Sequence, residues 1–252
     1  MSEVSEIRVA PLGTTGRSVA GGEDDGVLLR EIGAISDKGV DLILLPQLSF
    51  SLYFPAHRDR KALELGERFP SQRMAAAREA AGHVWLAASA YECVGEGVFY
   101  VSGELGTKKD GTVLAQRQHR VEAAPGRFEQ MFFSPGHEER TVSDLPWGGT
   151  ALLLGADARD PGAWADLARR GADLILVSVG EDTDGWGAVA RICQGFSVVH
   201  GVSVCAVNRA SADDEPVFAG GSFASDPNGN EITPDGNGHY TISIPKTGSA
   251  RA

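Results

Sequence analysis

Short apolar runs punctuate this chain, and several are too continuous to be half-exposed strands. Asp41–Pro46 (DLILLP), Ala151–Leu154 and Leu174–Val179 are apolar almost throughout. Runs of that length and continuity suit strands covered on both faces. Between the last two lies a polar, helix-favouring segment, Pro161–Arg170, followed by Gly171. Strand, sharp turn, helix, strand is a βαβ unit, and its crossover should be right-handed. The turn Gly155-Ala156-Asp157-Ala158-Arg159-Asp160-Pro161 falls at the carboxyl end of the first strand, where open α/β sheets place their chemistry.

The same patterning organises the rest of the chain. Ile7–Leu12 is a short strand, and the glycine-rich Gly13–Gly26 a loop. Val27, Leu28, Leu29, Ile32 and Ile35 recur at helical spacing, so Val27–Lys38 is a helix, stopped by Gly39. Ser71–Gly82 is alanine-rich and helical. Val84–Ala90, Phe99–Leu105 and Val113–Arg120 are strands, the last two joined by a turn at Lys109-Asp110-Gly111. Trp186–Val199 is a helix, Val202–Val207 and Tyr240–Ile244 are strands, and Lys246–Ala252 reads as a frayed tail. Residues 1–252 form one domain, with a core from about residue 7 to 244 and no interdomain linker or repeat. This pattern by itself supports an α/β fold with buried strands.

Charge and composition narrow the function classes. The 23 basic and 34 acidic residues leave a net charge of −11. That argues against nucleic-acid binding, which depends on Lys and Arg neutralising phosphates. Met1–Ala10 lacks the apolar core of a signal peptide, and no run approaches the length of a membrane span, so a cytoplasmic protein is expected. Cys93, Cys193 and Cys205 show neither CxxC nor metal-ligand spacing. Each is expected to pack as a small hydrophobe, with no metal or cofactor. Glu181-Asp182-Thr183-Asp184-Gly185 lacks the full ligand pattern of a calcium loop and reads as a solvated loop.

The elbow carries a family resemblance. Asp157, Arg159, Pro161 and Gly171-Ala172-Asp173 fit the nitrilase, or carbon–nitrogen hydrolase, superfamily, in which an apolar strand ends in Cys-Tyr-Asp-x-Arg-x-Pro-Glu. Other blocks follow in the family's order. They are Phe128-Glu129 before Pro135-Gly136, Trp186 and Arg191 before Asn208, and the Asp226-Pro227-Asn228-Gly229 hairpin. The resemblance implies a four-layer α-β-β-α sandwich and assembly through the elbow-side helices. Trp164 and Leu167, on one side of the elbow helix, are expected to be buried, in part at a subunit contact.

The same resemblance implies a triad of glutamate base, lysine and cysteine nucleophile, and this chain departs from it at each position. Gln47 stands where the glutamate would be, Gly155 where the cysteine would be, and His119 where the lysine would be, with Gln118 competing for that place. The tyrosine after the cysteine is Ala156, and the glutamate after the proline is Gly162. No cysteine lies between Cys93 and Cys193. Glutamine cannot accept a proton at neutral pH, and glycine has no side chain, so the family's nucleophilic route is closed.

The implied pocket is Gln47, His119, Glu129, Gly155, Ala156, Asp157 and Arg159. For Asp157 and Arg159 the favoured reading is structural, capping the helix and bracing the elbow. Three functions stay open. The first is a non-hydrolytic pseudoenzyme that binds a small molecule or serves as a partner subunit, as a homo-oligomer or beside an active relative. The second is altered chemistry through a His–carboxylate pocket. The third is amide or nitrile hydrolysis through some other nucleophile.

Overall fold

The computed structural model describes residues 4–14, 25–95, 97–210 and 218–245. Most of the predicted glycine-rich loop and all of the predicted tail lie outside these residues.

One six-stranded sheet contains β1 (Val4–Pro11), β2 (Leu42–Leu44), β3 (Trp85–Gly95), β4 (Val98–Thr107), β5 (Gly111–Arg117) and the last strand of the chain, β11 (Tyr240–Pro245). Their order is β11-β1-β2-β3-β4-β5. The second sheet contains β6 (Ser143–Leu145), β7 (Gly148–Leu154), β8 (Leu174–Val179), β9 (Ser203–Asn208) and β10 (Ser222–Ser225), in the order β10-β9-β8-β7-β6. Helices α1 (Gly26–Ser36) and α2 (Gln72–Ala81) cover the first sheet, and α3 (Pro161–Arg169) and α4 (Thr183–His200) the second.

The continuous apolar runs follow from these layers. Leu152 and Leu154 of β7 face the first sheet and pack with Leu44, Val101 and Leu105. Ala151 and Leu153, on the other face, pack under Trp164 and Leu167 of α3 and Cys193 of α4. In β2, Leu42 and Leu44 face inward while Ile43 lies under Leu28 and Met74 of the outer helices. Because both faces are covered, alternation in facing produces no alternation in polarity. β7 and β8 pair in parallel, as the βαβ reading requires.

Local signals set the helix ends. Ser71 Oγ accepts from Met74 N at 3.2 Å to start α2, and Asp160 accepts from Gly162 N at 3.0 Å to start α3. Asp182 accepts from Gly185 N at 2.8 Å, so α4 begins three residues earlier than its apolar pattern suggests. The expected loop there is partly this cap, and Glu181 beside it is buried. Trp164 and Leu167 are wholly buried by the chain's own α4 and β-sheet, so this pair leaves no surface for a subunit contact.

Candidate functional site

Gly155 follows β7 directly, and its φ of +50° lies in the left-handed region. Residues Gly155–Arg159 make one short turn of helix before Asp160 caps α3. Opposite stands Gln47, on the loop after β2. That loop is anchored from the other sheet. Arg209, just past β9, donates from Nη1 to the carbonyls of Gln47 (2.8 Å) and Leu48 (2.9 Å), and from Nη2 to Ser51 O (2.9 Å). Its guanidinium is fully buried, 5.8 and 5.4 Å from the ring centroids of Tyr53 and Phe218.

The polar side chains here form one closed network. Gln47 Nε2 donates to Gln118 Oε1 at 2.7 Å and to Glu129 Oε1 at 3.1 Å. Tyr53 Oη also donates to Glu129 Oε1, at 2.9 Å. Glu129 Oε2 accepts from Gln118 Nε2 and from the Glu122 amide, both at 3.0 Å. Gln47, Gln118 and Glu129 are each only 1% exposed. Burial raises the Glu129 pKa, and these donors pull the other way. A β-carbon placed on Gly155 would overlap Gln47 Nε2 and lie 2.7 Å from Gln118 Oε1. The volume where an elbow residue would project its side chain is therefore filled by the two glutamines.

This arrangement corrects the reading of His119. The structure brings Gln118, not His119, to Gln47 and Glu129. Sequence spacing from Asp110-Gly111 crosses a register shift at Leu105/Gly106, where the partner strand skips Val113. Such a bulge changes which side chain faces which way. The His119 ring turns outward to Gln116, its Nε2 lying 3.1 Å from Gln116 Nε2. Burial and nearby Arg140 lower its pKa, so it is neutral at pH 7. No hydrogen bond joins that ring to Glu129 or Asp157, so the expected His–carboxylate pocket is not assembled among the described residues.

Asp157 braces the elbow, while Asp160 and not Asp157 caps the helix. Its carboxylate accepts from the backbone N–H groups of His119 (3.0 Å) and Arg120 (2.7 Å), tying the elbow to the arm that carries Gln118. Burial pushes its pKa up to about 6 against the pull of those bonds. Arg159 pairs with Glu181 Oε1 and donates to Gly185 O at 3.3 Å. Arg127 takes the other oxygen, Glu181 Oε2, at 2.6 Å and reaches Glu122 at 3.0 Å. These groups, with Ala156 and Asp182, line an open cleft of about 530 Å³, and none of Gln47, Gln118, Glu129 and Gly155 lines it. Among the described residues, no three His, Cys, Asp or Glu side chains are grouped to hold a metal ion. Nor, among the described residues, is any helix long and apolar enough to cross a membrane.

The sequence pattern that defines the carbon-nitrogen hydrolases matches residues 23–245. The chain belongs to that family. The carbon-nitrogen hydrolase of Helicobacter pylori G27 superposes with a TM-score of 0.81 at 20% identity, over 94% of this chain and 89% of that one. An amidase from Nesterenkonia sp. gives 0.78 at 20% identity, over 95% and 90%. A mutant of that amidase shows covalent addition of the acetamide moiety of fluoroacetamide at its active site cysteine. An (R)-stereoselective amidase from a Pseudomonas species is 35% identical over 147 residues, 54% of this chain and 48% of the relative, so the match spans about half that relative's length.

In this member of the family the buried sulfurs lie elsewhere. Cys193 is fully buried between α4 and the second sheet and Cys205 between the two sheets, and burial pushes the Cys193 pKa up to about 12 and that of Cys205 up as well. Thiolate is the reactive form, so both should be inert in the folded chain. Iodoacetamide at neutral pH is expected to label these two only as fast as the chain globally unfolds. Rapid labelling of either, mapped by peptide mass, would reinstate a displaced nucleophile.

Proposed function

We propose that this chain is a non-hydrolytic member of the carbon–nitrogen hydrolase family, and that it binds a small molecule in the cleft beside the elbow. The observation that carries this reading is the overlap of Gln47 Nε2 with the place of any β-carbon on Gly155. Attack on an amide carbon needs a nucleophile at the elbow, a base to take its proton and a donor for the oxyanion. Here the elbow has no side chain. The group beside it is a neutral amide whose nitrogen already donates twice. The carboxylate beside that amide, Glu129, is enclosed by four donors. Removal of a nucleophile alone costs on the order of 10⁶ in turnover in a well-studied hydrolase.

The amidase relatives favour a second reading, hydrolysis of an amide or nitrile by another nucleophile; the burial of Cys193 and Cys205 weighs against it. One assay separates the two. Purified chain is incubated with a panel of small amides and nitriles, and ammonia release is followed. Wild type is expected to match the no-protein control. The triple variant Gln47→Glu, Gln118→Lys, Gly155→Cys is expected to exceed it measurably, although a site misplaced by about 1 Å loses roughly a hundredfold. Wild-type turnover that survives purification to homogeneity and titrates with protein concentration would refute the non-hydrolytic reading.

A further inference from the structure

We infer that the surface made by residues 54–61 and 120–131 is a docking site for an acidic segment of another protein, one that carries apolar side chains among its carboxylates. This goes beyond the small-molecule cleft, and it stands whether or not that cleft takes a ligand.

An acidic chain offers its cations many carboxylates, here 34 acidic residues to 23 basic. Arg8, Arg117 and Arg170 each sit against one or two of them. Arg58, Arg60, Lys61 and Arg120 do not. All four are exposed, and among the described residues none of their side chains makes an ion pair or donates a hydrogen bond. The acid inside the run, Asp59, accepts from Lys61 N at 3.0 Å, and Glu64 in the following turn pairs with none of them. Arg58 is nevertheless held in place. Its guanidinium lies over the Phe128 ring, 4.3 Å from the centroid. Phe128 N donates to Pro55 O at 2.8 Å, and the neighbouring Phe54 ring packs 4.9 Å from Tyr91 and 5.2 Å from Phe132. This cation therefore stands on a base fixed into the core, and less order is lost when a carboxylate binds it.

The apolar half of the surface adjoins Phe128. Ala124 and Arg127 exchange backbone hydrogen bonds of 3.0 and 2.9 Å, closing a small hairpin. Ala123, Ala124 and Pro125 at its tip are exposed. Met131, whose N–H donates to Phe128 O at 2.9 Å, is 47% exposed. A methionine at a surface adapts to apolar side chains of different shapes. Free cations beside adaptable apolar groups suit a segment that alternates carboxylates with apolar residues. They suit nucleic acid less well. A phosphate backbone is charged along its whole length and would run from this patch onto the surrounding surface of a chain whose net charge is −11. A short acidic segment needs only the patch itself.

Fluorescence anisotropy on the full chain at low salt tests this with a labelled peptide of glutamates interspersed with leucines. Half-saturation below about 100 μM is expected. Exchanging the glutamates for glutamine should weaken binding about tenfold or more, and exchanging the leucines for serine about threefold or more. Arg58→Glu should weaken it about tenfold or more while the melting temperature holds. Lys109→Glu, at an exposed and unpaired cation on the β4–β5 turn, changes the net charge equally and should leave binding as it was. No binding up to about 1 mM, equal affinity for the glutamine or the serine peptide, or equal loss in the two variants would each overturn the assignment. So would tighter binding of a single-stranded oligonucleotide of the same charge, which would mark a general polyanion surface.

Discussion

Glu129→Ala is expected to lower the unfolding free energy by about 3–5 kcal/mol, the scale seen when one partner of a buried charged network is removed. Four donors converge on this carboxylate, from Tyr53, Gln47, Gln118 and the Glu122 amide. Each would be left in a pocket whose three principal side chains are 1% exposed, where an unmet donor costs about 1–3 kcal/mol. Glu129→Gln keeps one acceptor oxygen but points an NH₂ at one pair of those donors, and should cost less, about 1–3 kcal/mol. Urea unfolding followed by circular dichroism measures both. A loss under about 1 kcal/mol for the alanine variant would mean that water enters and satisfies the donors, and that the network does not hold the site closed.

Gly155→Ala is expected to cost about 2–4 kcal/mol in the wild-type chain, from two separable sources. A β-carbon at φ +50° costs about 1–2 kcal/mol by itself. The remainder comes from pushing Gln47 Nε2 off its bonds to Gln118 and Glu129. In a Gln47→Ala background only the backbone part should persist, so the double-mutant cycle should show about 1–2 kcal/mol of coupling. Additive losses would show that the two residues do not compete for the same space.

Where these residues would lie was unevenly legible in the sequence. The strands were readable because both faces of each central strand are covered, which turns burial into an unbroken apolar run. Gln47 and Gly155 were readable because each directly follows such a run and fits a family block. Gln118 was displaced by one position because a bulge lies between the turn and the arm. Arg209 and Tyr53 gave no local signal: the contacts from Arg209 to Gln47 and from Tyr53 to Glu129 join residues 162 and 76 positions apart. Glu181 was misread as solvated because it opens a run of acidic residues in an acidic chain, and sequence does not tell which acid faces two arginines.

The glutamine pair also bears on how such a site could change over generations. Cysteine first at Gly155 meets Gln47 in the same space. Glutamate first at Gln47 sets a second carboxylate about where Nε2 now lies 3.1 Å from Glu129, and like charges so close resist ionisation. Lysine first at Gln118 brings a cation to the 3.0 Å contact with Glu129 Oε2, the one opening step that gains an opposite charge. After it a glutamate at Gln47 finds a counter-ion, but glutamate has the size of glutamine, so a sulfur at Gly155 still needs the side chain at position 47 to swing aside. A triad built into this chain would therefore start most readily at Gln118 and be resisted longest at Gly155.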